Sequence, residues 1–277
     1  MKVTVTGAGG FLGAAVTRQL CEAGYTVVAT DKFARTDLPT PVRVVDLLNR
    51  ESCYHVLEGV EAVVHLGNHK GMHRGDPQLV FNENGTMNMN VFQAAAELKV
   101  AKVIFASSIQ VMCSQRAAED RQALLPYLPL DSEAPPCPDN PYSLSKLVGE
   151  TMLAYFADRW GMQTVALRFP ALVDDALLDR CQKAGSFPAG SHEAFAYLHV
   201  KDAGNLVAAM LKADLPGFRV YFPAARSHGS VRPVAEVIRQ YYANVPLRKP
   251  LEEIDFLVDI SAIERETGWT PIHNRSW

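Results

Sequence analysis

The sequence predicts an α/β protein built on a doubly wound parallel sheet, with a small C-terminal α/β lobe. Short runs rich in β-branched residues alternate with longer stretches of helical periodicity through most of the chain. The first run, Lys2–Thr6, leads directly into a glycine turn and then into the amphipathic stretch Phe11–Ala23. Repeated strand–helix units of this kind place parallel strands in one sheet and helices on both of its faces.

The same pattern sets the order of the elements and the division of the chain. Beyond Phe169 it breaks into short elements, although residues 200–212 read as another helix of the main domain. We therefore expect a main domain of residues 1–168, rejoined by residues 198–215, and a small substrate-binding lobe of residues 169–197 and 216–277. The predicted strands are Lys2–Thr6, Tyr25–Thr30, Val42–Val45, Ala62–Leu66, Lys102–Ser107 and Thr164–Arg168, and the long helices are Phe11–Ala23, Gln78–Leu98 and Pro141–Trp160.

Composition narrows the class of protein. A chain of 277 residues can fill one full core, or a main domain plus a small one. A net charge of −3 without a long basic run argues against partners such as nucleic acid or an anionic membrane surface. Neither a signal peptide nor a membrane-spanning run is evident, and the five cysteines are scattered without a C-x-x-C pair. We expect a cytoplasmic protein with free thiols.

A glycine turn after the first strand is the first candidate binding site. Gly7, Gly10 and Gly13 follow the spacing G-x-x-G-x-x-G between a predicted strand and the start of a predicted helix. Glycine lets a ligand approach the backbone closely, and the N–H groups of a helix N-terminus face an anion. The second strand leads to Asp31, where a carboxylate can accept hydrogen bonds from ribose hydroxyls. Together these features predict a dinucleotide site in a Rossmann sheet.

The residue at position 31 favours NAD as the cofactor. The Asp31 carboxylate accepts from a free 2′-hydroxyl and repels a 2′-phosphate. Lys32 and Arg35 follow closely and could neutralise a phosphate, so the sequence leaves NADP open.

A phenol and an ammonium group one helical turn apart form the second candidate site. Asn140 and Pro141 suit the cap and first turn of a helix, which places Tyr142 and Lys146 on one face of it. A nearby cation and the positive helix end both favour the phenolate, so we expect the pKa of Tyr142 to fall toward neutrality. The pair therefore predicts proton transfer.

These motifs resemble those of the extended short-chain dehydrogenases/reductases, the NAD-dependent epimerase/dehydratase family, with the match strongest from Met1 to about Arg168. Further matches are Asp46-Leu47, His65-Leu66-Gly67, Asn84-Gly85-Thr86, Ser107-Ser108, Gly149-Glu150, Leu198 to Asp202, and Gly268-Trp269-Thr270-Pro271. The resemblance implies the catalytic residues Ser108, Tyr142 and Lys146. It implies the cofactor-binding residues Gly7, Gly10, Phe11, Leu12, Gly13, Asp31, Asp46, Leu47, Leu66, Gly67, Asn84, Lys146, Phe169 and Pro170.

The resemblance also implies a role for each catalytic group. Tyr142 exchanges a proton with a substrate hydroxyl or carbonyl, and Ser108 hydrogen-bonds the same oxygen. Lys146 holds the nicotinamide ribose. Ser107 is the less favoured serine, because the family pattern places the catalytic hydroxyl second. Asn84 is expected to organise a water or a main-chain group near Lys146.

Two departures from the family bear on the substrate. The segment after Ser108, which reads as a strand, carries Met112 where sugar-nucleotide enzymes usually have an aromatic residue. The interval between Phe169 and Leu198 is short, and offers a diphosphate little beyond Arg180 and Lys183. The compact lobe resembles that of members acting on small free substrates, such as uronate dehydrogenases.

Three functions follow as hypotheses. The first is an NAD-dependent dehydrogenase acting on a secondary alcohol or lactol of a small sugar-like molecule. The second is a nucleotide-sugar epimerase with tightly bound NAD, and the third is a non-catalytic redox sensor that binds the dinucleotide. No metal is expected: His69 and His73 are four residues apart but flank Gly71 and lack an H-E-x-x-H pattern, which favours an active-site loop. His199 reads as a structural contact.

A homodimer is expected from the resemblance, because extended members commonly pair through two long helices. In the helix that carries the catalytic pair, Leu144, Val148 and Met152 recur at a four-residue spacing, and Leu147 and Phe156 widen the apolar surface. One face of that helix must cover the sheet, so the remaining apolar residues predict a second buried surface.

Overall fold

The computed structural model describes residues 1–71, 76–113, 125–229 and 232–275. The strands are β1 (Lys2–Thr6), β2 (Thr26–Asp31), β3 (Val42–Val44), β4 (Ala62–His65), β5 (Lys102–Ser108), β6 (Gln163–Phe169), β7 (Ala171–Val173), β8 (Tyr197–His199) and β9 (Phe218–Tyr221). The helices are α1 (Phe11–Glu22), α2 (Arg50–Leu57), α3 (Pro77–Glu97), α4 (Pro141–Trp160), α5 (Asp175–Ala184), α6 (Val200–Lys212), α7 (Val234–Tyr241) and α8 (Ser261–Thr267).

Seven strands form one parallel sheet in the order β3-β2-β1-β4-β5-β6-β9. The chain moves outward from β1 to β3 and then returns to place β4 on the other side of β1. This reversal creates a crevice at the carboxyl ends of β1 and β4, where open α/β sheets bind their ligands. The predicted doubly wound sheet is confirmed.

Two apolar layers cover the faces of the sheet. Adjacent residues of a strand point to opposite faces, so Val63 and Phe105 pack with α2, α3 and α4, whereas Val64 and Ile104 pack with α1 and α6. Because both faces are covered, the central strands β1, β4 and β5 are buried along almost their whole length. Helix α6 packs on α1, as expected of an element of the main domain.

Helix α4 is fixed at both of its ends and in its middle. The Asn140 side chain accepts from the Ser143 N–H, and Ser143 Oγ accepts from the Asn140 N–H, which is a capping box with Pro141 in the first turn. Gly161, with φ of 67°, ends the helix. A Cβ at Gly149 would lie 2.8 Å from the Phe105 ring, so this glycine lets α4 lie directly on the sheet. The first turn of α4 therefore has a set position.

The structure corrects the predicted extent of the small lobe at one point. Residues 216–277 were assigned to the lobe, but β9 pairs with β6 as the seventh strand of the main sheet. The four residues of β9 are too few to show an alternation of apolar and polar side chains. Because the strand is half-exposed, it also lacks the apolar run that is typical of a central strand. Strands β7 and β8 form a separate two-stranded sheet. The remaining lobe boundaries stay a prediction.

Across the four described ranges, no helix is both long enough and apolar enough to cross a membrane. The five cysteines are free thiols.

Candidate active site

The glycine turn leaves a cradle that larger residues would fill. A Cβ at Gly13 would lie 1.9 Å from the carbonyl oxygen of Gly7, and one at Gly7 would lie 2.8 Å from the main chain of Leu66 and Gly67. Gly7 also has a φ of 69°, which disfavours any side chain. Helix α1 begins after Gly10 without a side-chain cap, so N–H groups of its first turn are free to face an anion.

Asp31 ends β2 beside this turn. One of its carboxylate oxygens accepts from the Gly9 N–H at 2.9 Å, and the other accepts from the Phe33 N–H at 3.1 Å. A carboxylate can accept further hydrogen bonds, so Asp31 is held in place and can still receive ribose hydroxyls.

Lys32 and Arg35, the cations that could neutralise the 2′-phosphate of NADP, both have acidic partners. Lys32 Nζ lies 2.9 Å from Asp46, and this interaction together with the Leu48 N–H lowers the pKa of Asp46. Arg35 pairs with Asp37 and also donates to the Gly9 carbonyl at 2.8 Å. A 2′-phosphate would have to compete with these carboxylates.

The other predicted cofactor residues lie around the same crevice. The N–H groups of Leu66 and Gly67, just after β4, donate to Thr6 Oγ1 at 3.1 Å. A Cβ on Gly67 would lie 2.6 Å from the Leu47 side chain, so these two segments touch. Phe11 and Leu12 open α1, Asp46 and Leu47 follow β3, and Phe169 and Pro170 stand at the end of β6. The glycine cradle, the uncapped helix and Asp31 together fit a dinucleotide.

Lys146 is buried at the inner side of α4. Its ammonium group donates to Asn68 Oδ1 at 2.9 Å and to the Ala106 carbonyl at 2.8 Å, and it lies 4.7 Å from the centre of the Phe105 ring. Burial lowers the pKa of Lys146 to about 7. Nζ is 5.7 Å from the centre of the Tyr142 ring, so the two predicted partners share one space.

The predicted direction of the Tyr142 pKa is wrong. The side chain is 9% exposed, and burial raises its pKa above the ordinary value. The negative charge of Glu193 acts in the same direction, whereas hydrogen bonds with Ser108 and the Gly71 main chain act against it. The sequence argument counted the cation and the helix end but not the desolvation that packing imposes.

The two serines at the end of β5 have different partners. Ser108 Oγ accepts from the Gln110 N–H at 3.2 Å and hydrogen-bonds with the Tyr142 phenol. Ser107 Oγ donates to Glu150 at 2.6 Å, and Glu150 forms a buried two-pronged ion pair with Arg168 at 3.0 and 2.9 Å. Ser108 therefore faces Tyr142, and Ser107 belongs to a structural network on the other side of the strand.

Asn84 connects the segment after β4 to helix α4. Its side-chain oxygen accepts from the His69 N–H at 2.8 Å, and its amide donates to Ser145 Oγ at 3.0 Å. The main-chain contact expected of Asn84 is present. Asn68, which binds Lys146 directly, was missed, although its place just beyond a strand end is the position at which ligand-facing residues collect.

Glu193 is the second residue that the sequence did not single out. It ends a short 3-10 helix, Ser191–Glu193, and its carboxylate accepts a hydrogen bond from the Gln110 side chain. It comes from the lobe, about 50 residues beyond Tyr142 in the chain, so no spacing rule connects the two. Across this separation in the chain, the charge of Glu193 acts on the Tyr142 phenol.

One other predicted element differs from the structure. The segment after Ser108 is a 3-10 helix, Ile109–Val111, not a strand, and Met112 is buried in the core. Cys113 is also buried, which raises the pKa of its thiol. Arg180 is exposed on α5, as is Lys183.

His199 and His69 each have a structural partner. His199 caps α6 by accepting from the Lys201 N–H at 3.2 Å and stacks on His273, as expected of a structural contact. His69 pairs with Glu83. His73 lies outside the described residues, so the absence of a metal site stays a prediction.

Comparison with known protein families gives a direct match. The model of the NAD dependent epimerase/dehydratase family matches residues 3–173, which is more than half of the chain. The chain belongs to this family. The predicted family, fold class and NAD cofactor are thereby confirmed.

Curated proteins similar to this family member include dehydrogenases of sugars. It is 29% identical over 170 residues to a uronate dehydrogenase of Pseudomonas putida, an alignment that covers 60% of this chain and 59% of the relative. The chain thus spans about three fifths of that relative's length. It is 27% identical over 224 residues to an NAD-dependent glucose-6-phosphate dehydrogenase of Haloferax volcanii, with 76% of this chain and 80% of the relative covered.

Solved structures of the family share the fold over nearly the whole chain. A UDP-glucose-4-epimerase from Stenotrophomonas maltophila superposes with a TM-score of 0.73 at 21% identity, covering 99% of this chain and 94% of that one. At this identity the similarity establishes the fold alone.

Proposed function

We propose that this protein is an NAD-dependent dehydrogenase that oxidises a secondary alcohol or lactol of a small sugar-like molecule. One observation carries the proposal: the phenol of Tyr142 on α4 hydrogen-bonds with Ser108 at the carboxyl end of β5, and Lys146 Nζ lies 5.7 Å from the centre of the Tyr142 ring. A protein that merely bound a dinucleotide would need no such pair of hydroxyl groups. The dehydrogenases among its relatives support the same reaction class.

The reaction divides between the cofactor and the protein. NAD, when bound, accepts a hydride from the carbon that carries the reacting hydroxyl. The protein moves the proton, with Tyr142 Oη taking it from that hydroxyl and Ser108 Oγ hydrogen-bonding the same oxygen. Because burial raises the pKa of Tyr142, the hydrogen bonds with Ser108 and Gly71 are needed to stabilise the phenolate during transfer. In the reverse direction, the protonated phenol is the donor.

Lys146 has an orienting role in this scheme. Its contacts with Asn68 and the Ala106 carbonyl fix the ammonium group next to the phenol, where it can bind the hydroxyls of the nicotinamide ribose. With a pKa of about 7, the group is charged in about half of the molecules at neutral pH before ligands bind. An acceptor supplied by the ribose would favour the charged form.

A screen of NAD reduction tests the proposal. Purified protein is mixed with NAD and, in turn, with neutral aldoses, uronates and small alcohols, and formation of NADH is followed by absorbance. Tyr142→Phe should lower turnover by ~10² or more and leave NAD affinity unchanged, because the ring remains and the reacting oxygen is lost. Tyr155→Phe, an exposed tyrosine on the same helix, is the matched control and should retain full turnover.

Two other results of this screen would indicate a different function. Tightly bound NAD that survives purification, with interconversion of nucleotide sugars and no net NADH, indicates an epimerase. NAD binding with no turnover of any class of substrate indicates a redox sensor. Near-normal turnover in Tyr142→Phe would exclude the tyrosine from the mechanism.

We also propose a homodimer that works in the cytoplasm. Leu144 and Tyr155 of α4 and Met89 of α3 are exposed apolar side chains on neighbouring helices, which supports pairing through these two helices. Phe156 does not contribute, because it is fully buried in the core of its own chain. Light scattering that gave a mass near the single-chain 30.4 kDa at micromolar concentration would contradict the dimer.

A further inference from the structure

The turn after β2 holds a compact group of charged side chains beside the glycine turn. Asp37 receives two guanidinium groups: Arg35 donates to both of its carboxylate oxygens, at 2.5 and 2.9 Å, and Arg18 of α1 donates to one of them at 2.5 Å. The pairing of Arg35 with Asp37 is therefore two-pronged, the geometry in which an arginine and a carboxylate bind most strongly. Asp37 is not among the residues expected to contact the cofactor.

Arg35 reaches from this turn to the glycine that also contacts Asp31. Its remaining terminal nitrogen, Nη1, donates to the Gly9 carbonyl at 2.8 Å, while the Gly9 N–H donates to the Asp31 carboxylate at 2.9 Å. Asp31 is the residue at which the ribose of the adenosine half of NAD is expected. One glycine thus joins the carboxylate expected to bind the 2′-hydroxyl to a guanidinium group that could bind a 2′-phosphate.

Two other cations that the described residues place near Asp31 are bound or face away from it. Lys32 Nζ lies 2.9 Å from Asp46. Arg43 of β3 stands opposite Thr30, the residue before Asp31 in β2. Because adjacent residues of a strand point to opposite faces of a sheet, Arg43 and Asp31 lie on opposite faces. Arg35 is therefore the cation whose contacts lead to the expected ribose position.

Asp37 cancels a charge that would otherwise favour NADP. Two carboxylates, Asp31 and Asp37, and two guanidinium groups, Arg18 and Arg35, together have no net formal charge. Without Asp37 the group would be positive, and both guanidinium groups would lose their acceptor. A 2′-phosphate carries about −1.5 to −2 charges at neutral pH and offers three acceptor oxygens, so it suits arginines that are released in this way.

The hold of Asp37 on the arginines does not depend on pH in the neutral range. The hydrogen bonds and charge of Arg35, with a contribution from Arg18, lower the pKa of Asp37 to about 2. A carboxyl group with a lowered pKa is ionised above that value, so acidification to about pH 4 does not free Arg35 by protonating Asp37. A lone exposed ion pair contributes little, but here a two-pronged pair shares its carboxylate with a second arginine and forms a network.

We propose that Asp37 is a specificity-determining residue for the cofactor: by binding Arg35 and Arg18 it withholds them from the 2′-phosphate of NADP, and so reinforces the selection of NAD by Asp31. Asp37 acts through the two arginines and not by its own contact with the cofactor. The inference concerns the adenosine half of the cofactor, and it is independent of the reaction proposed for the nicotinamide half.

Two nucleotides isolate the 2′-phosphate from every other part of the cofactor. Adenosine 5′-monophosphate and adenosine 2′,5′-bisphosphate differ by that group alone, and calorimetric titration gives a dissociation constant for each. The native protein should bind the monophosphate more tightly. Asp37→Asn removes the charge and keeps the shape, so it should lower the dissociation constant of the bisphosphate by about 10-fold and change that of the monophosphate by less than about 2-fold. In about 1 M salt this gain should disappear, because exposed charges are screened.

Three further variants identify the groups involved. In the double variant Arg35→Ala/Asp37→Asn most of the gain should be lost, because the guanidinium group next to Gly9 is absent. Asp37→Glu keeps the charge and should still disfavour the bisphosphate. Asp179→Asn removes a similarly exposed carboxylate, which pairs with an arginine on the surface of α5, and as the matched control it should change neither constant. Melting curves verify that each variant is folded.

Four results would overturn the role of Asp37. The first is an Asp37→Asn protein that keeps the native ratio of the two dissociation constants, and the second is a gain that persists undiminished without Arg35 or in about 1 M salt. The third is equal weakening of both nucleotides, which would show that Asp37 only holds the turn in place. The fourth is native protein that binds the bisphosphate at least as tightly as the monophosphate. None of these titrations involves a substrate, so a failure of the proposed reaction would leave the assignment of Asp37 unaffected.

Discussion

The glycine turn after β1 and the Glu193 segment of the lobe both face the candidate active site, but they are built differently. In the turn, the backbone makes the site, and the essential property of Gly7 and Gly13 is a missing side chain. In the predicted lobe, the side chain of Glu193 acts electrostatically on Tyr142, and the backbone around Ala194 adopts a left-handed conformation without glycine. A site made by backbone follows from a short local motif, whereas a site made by a side chain depends on packing far along the chain.

The largest expected effect comes from a substitution that fills the space left by the glycine turn. In Gly13→Ala the new methyl group would lie 1.9 Å from the Gly7 carbonyl oxygen, and neither backbone segment can withdraw. We expect the NAD dissociation constant to rise by ~100-fold or more, about 2.7 kcal/mol, as measured by calorimetric titration.

Gly85→Ala is the matched control for that change. A Cβ at Gly85 meets nothing within 4 Å, so the variant should bind NAD normally and gain roughly 0.5–1 kcal/mol of helix stability. If Gly13→Ala binds NAD as tightly as the native protein, the dinucleotide does not lie in the glycine turn.

The second prediction concerns the choice between NAD and NADP by Asp31, which lies beside the same glycine turn. Asp31→Ala removes the carboxylate that would repel a 2′-phosphate, so the preference for NAD over NADP, measured as the ratio of kcat/KM values, should fall roughly 10-fold. Glu58→Ala removes an exposed carboxylate elsewhere and should leave the ratio unchanged. A native protein that already prefers NADP would show that Lys32 or Arg35 dominates instead.

The smallest expected effect concerns the segment that carries Glu193. Tyr242→Phe removes the hydrogen bond to the Ser191 carbonyl that holds the 3-10 helix of Glu193. The free energy of unfolding in urea should fall by about 1 kcal/mol. NAD affinity should not change, since the glycine turn is independent of the lobe.

Tyr241→Phe alters the neighbouring ring of the same aromatic cluster and provides the comparison for that variant. It should destabilise the protein less than Tyr242→Phe does. A loss of NAD affinity in Tyr242→Phe would contradict the independence of the two regions.

Local rules were enough for most of the first half of the fold, although helix α2 was not predicted. Strand β1 and helix α4 begin and end at the predicted residues, because an alternating run and a capping box are complete within a few neighbouring positions. The glycine cradle, Asp31 and the pairing of Ser108 with Tyr142 follow from similarly local patterns, or from the family resemblance that those patterns support.

The features that the sequence did not predict depend on contacts between distant parts of the chain or on the exclusion of water. Strand β9 needs β6 as a partner, and the effect of Glu193 on Tyr142 joins residues about 50 positions apart in the chain. The pKa of Tyr142 rises because neighbouring elements exclude water, which no spacing of residues encodes. Asn68 is the exception, since its position after a strand end was visible from the start.

The buried pair of Arg168 and Glu150 has a consequence for how β5 and β6 align during folding. Arg168 stands opposite Ser107 in the sheet, and it also donates to the carbonyls of Ser132 and Ala134 at 3.2 Å. A slip of one residue would turn Arg168 to the other face and leave a buried charge without its partner, a penalty of about 3–5 kcal/mol. Misregistered sheets are therefore disfavoured, and the position of the proposed catalytic hydroxyl on the next residue, Ser108, is secured by an ion pair that has no part in the proposed chemistry.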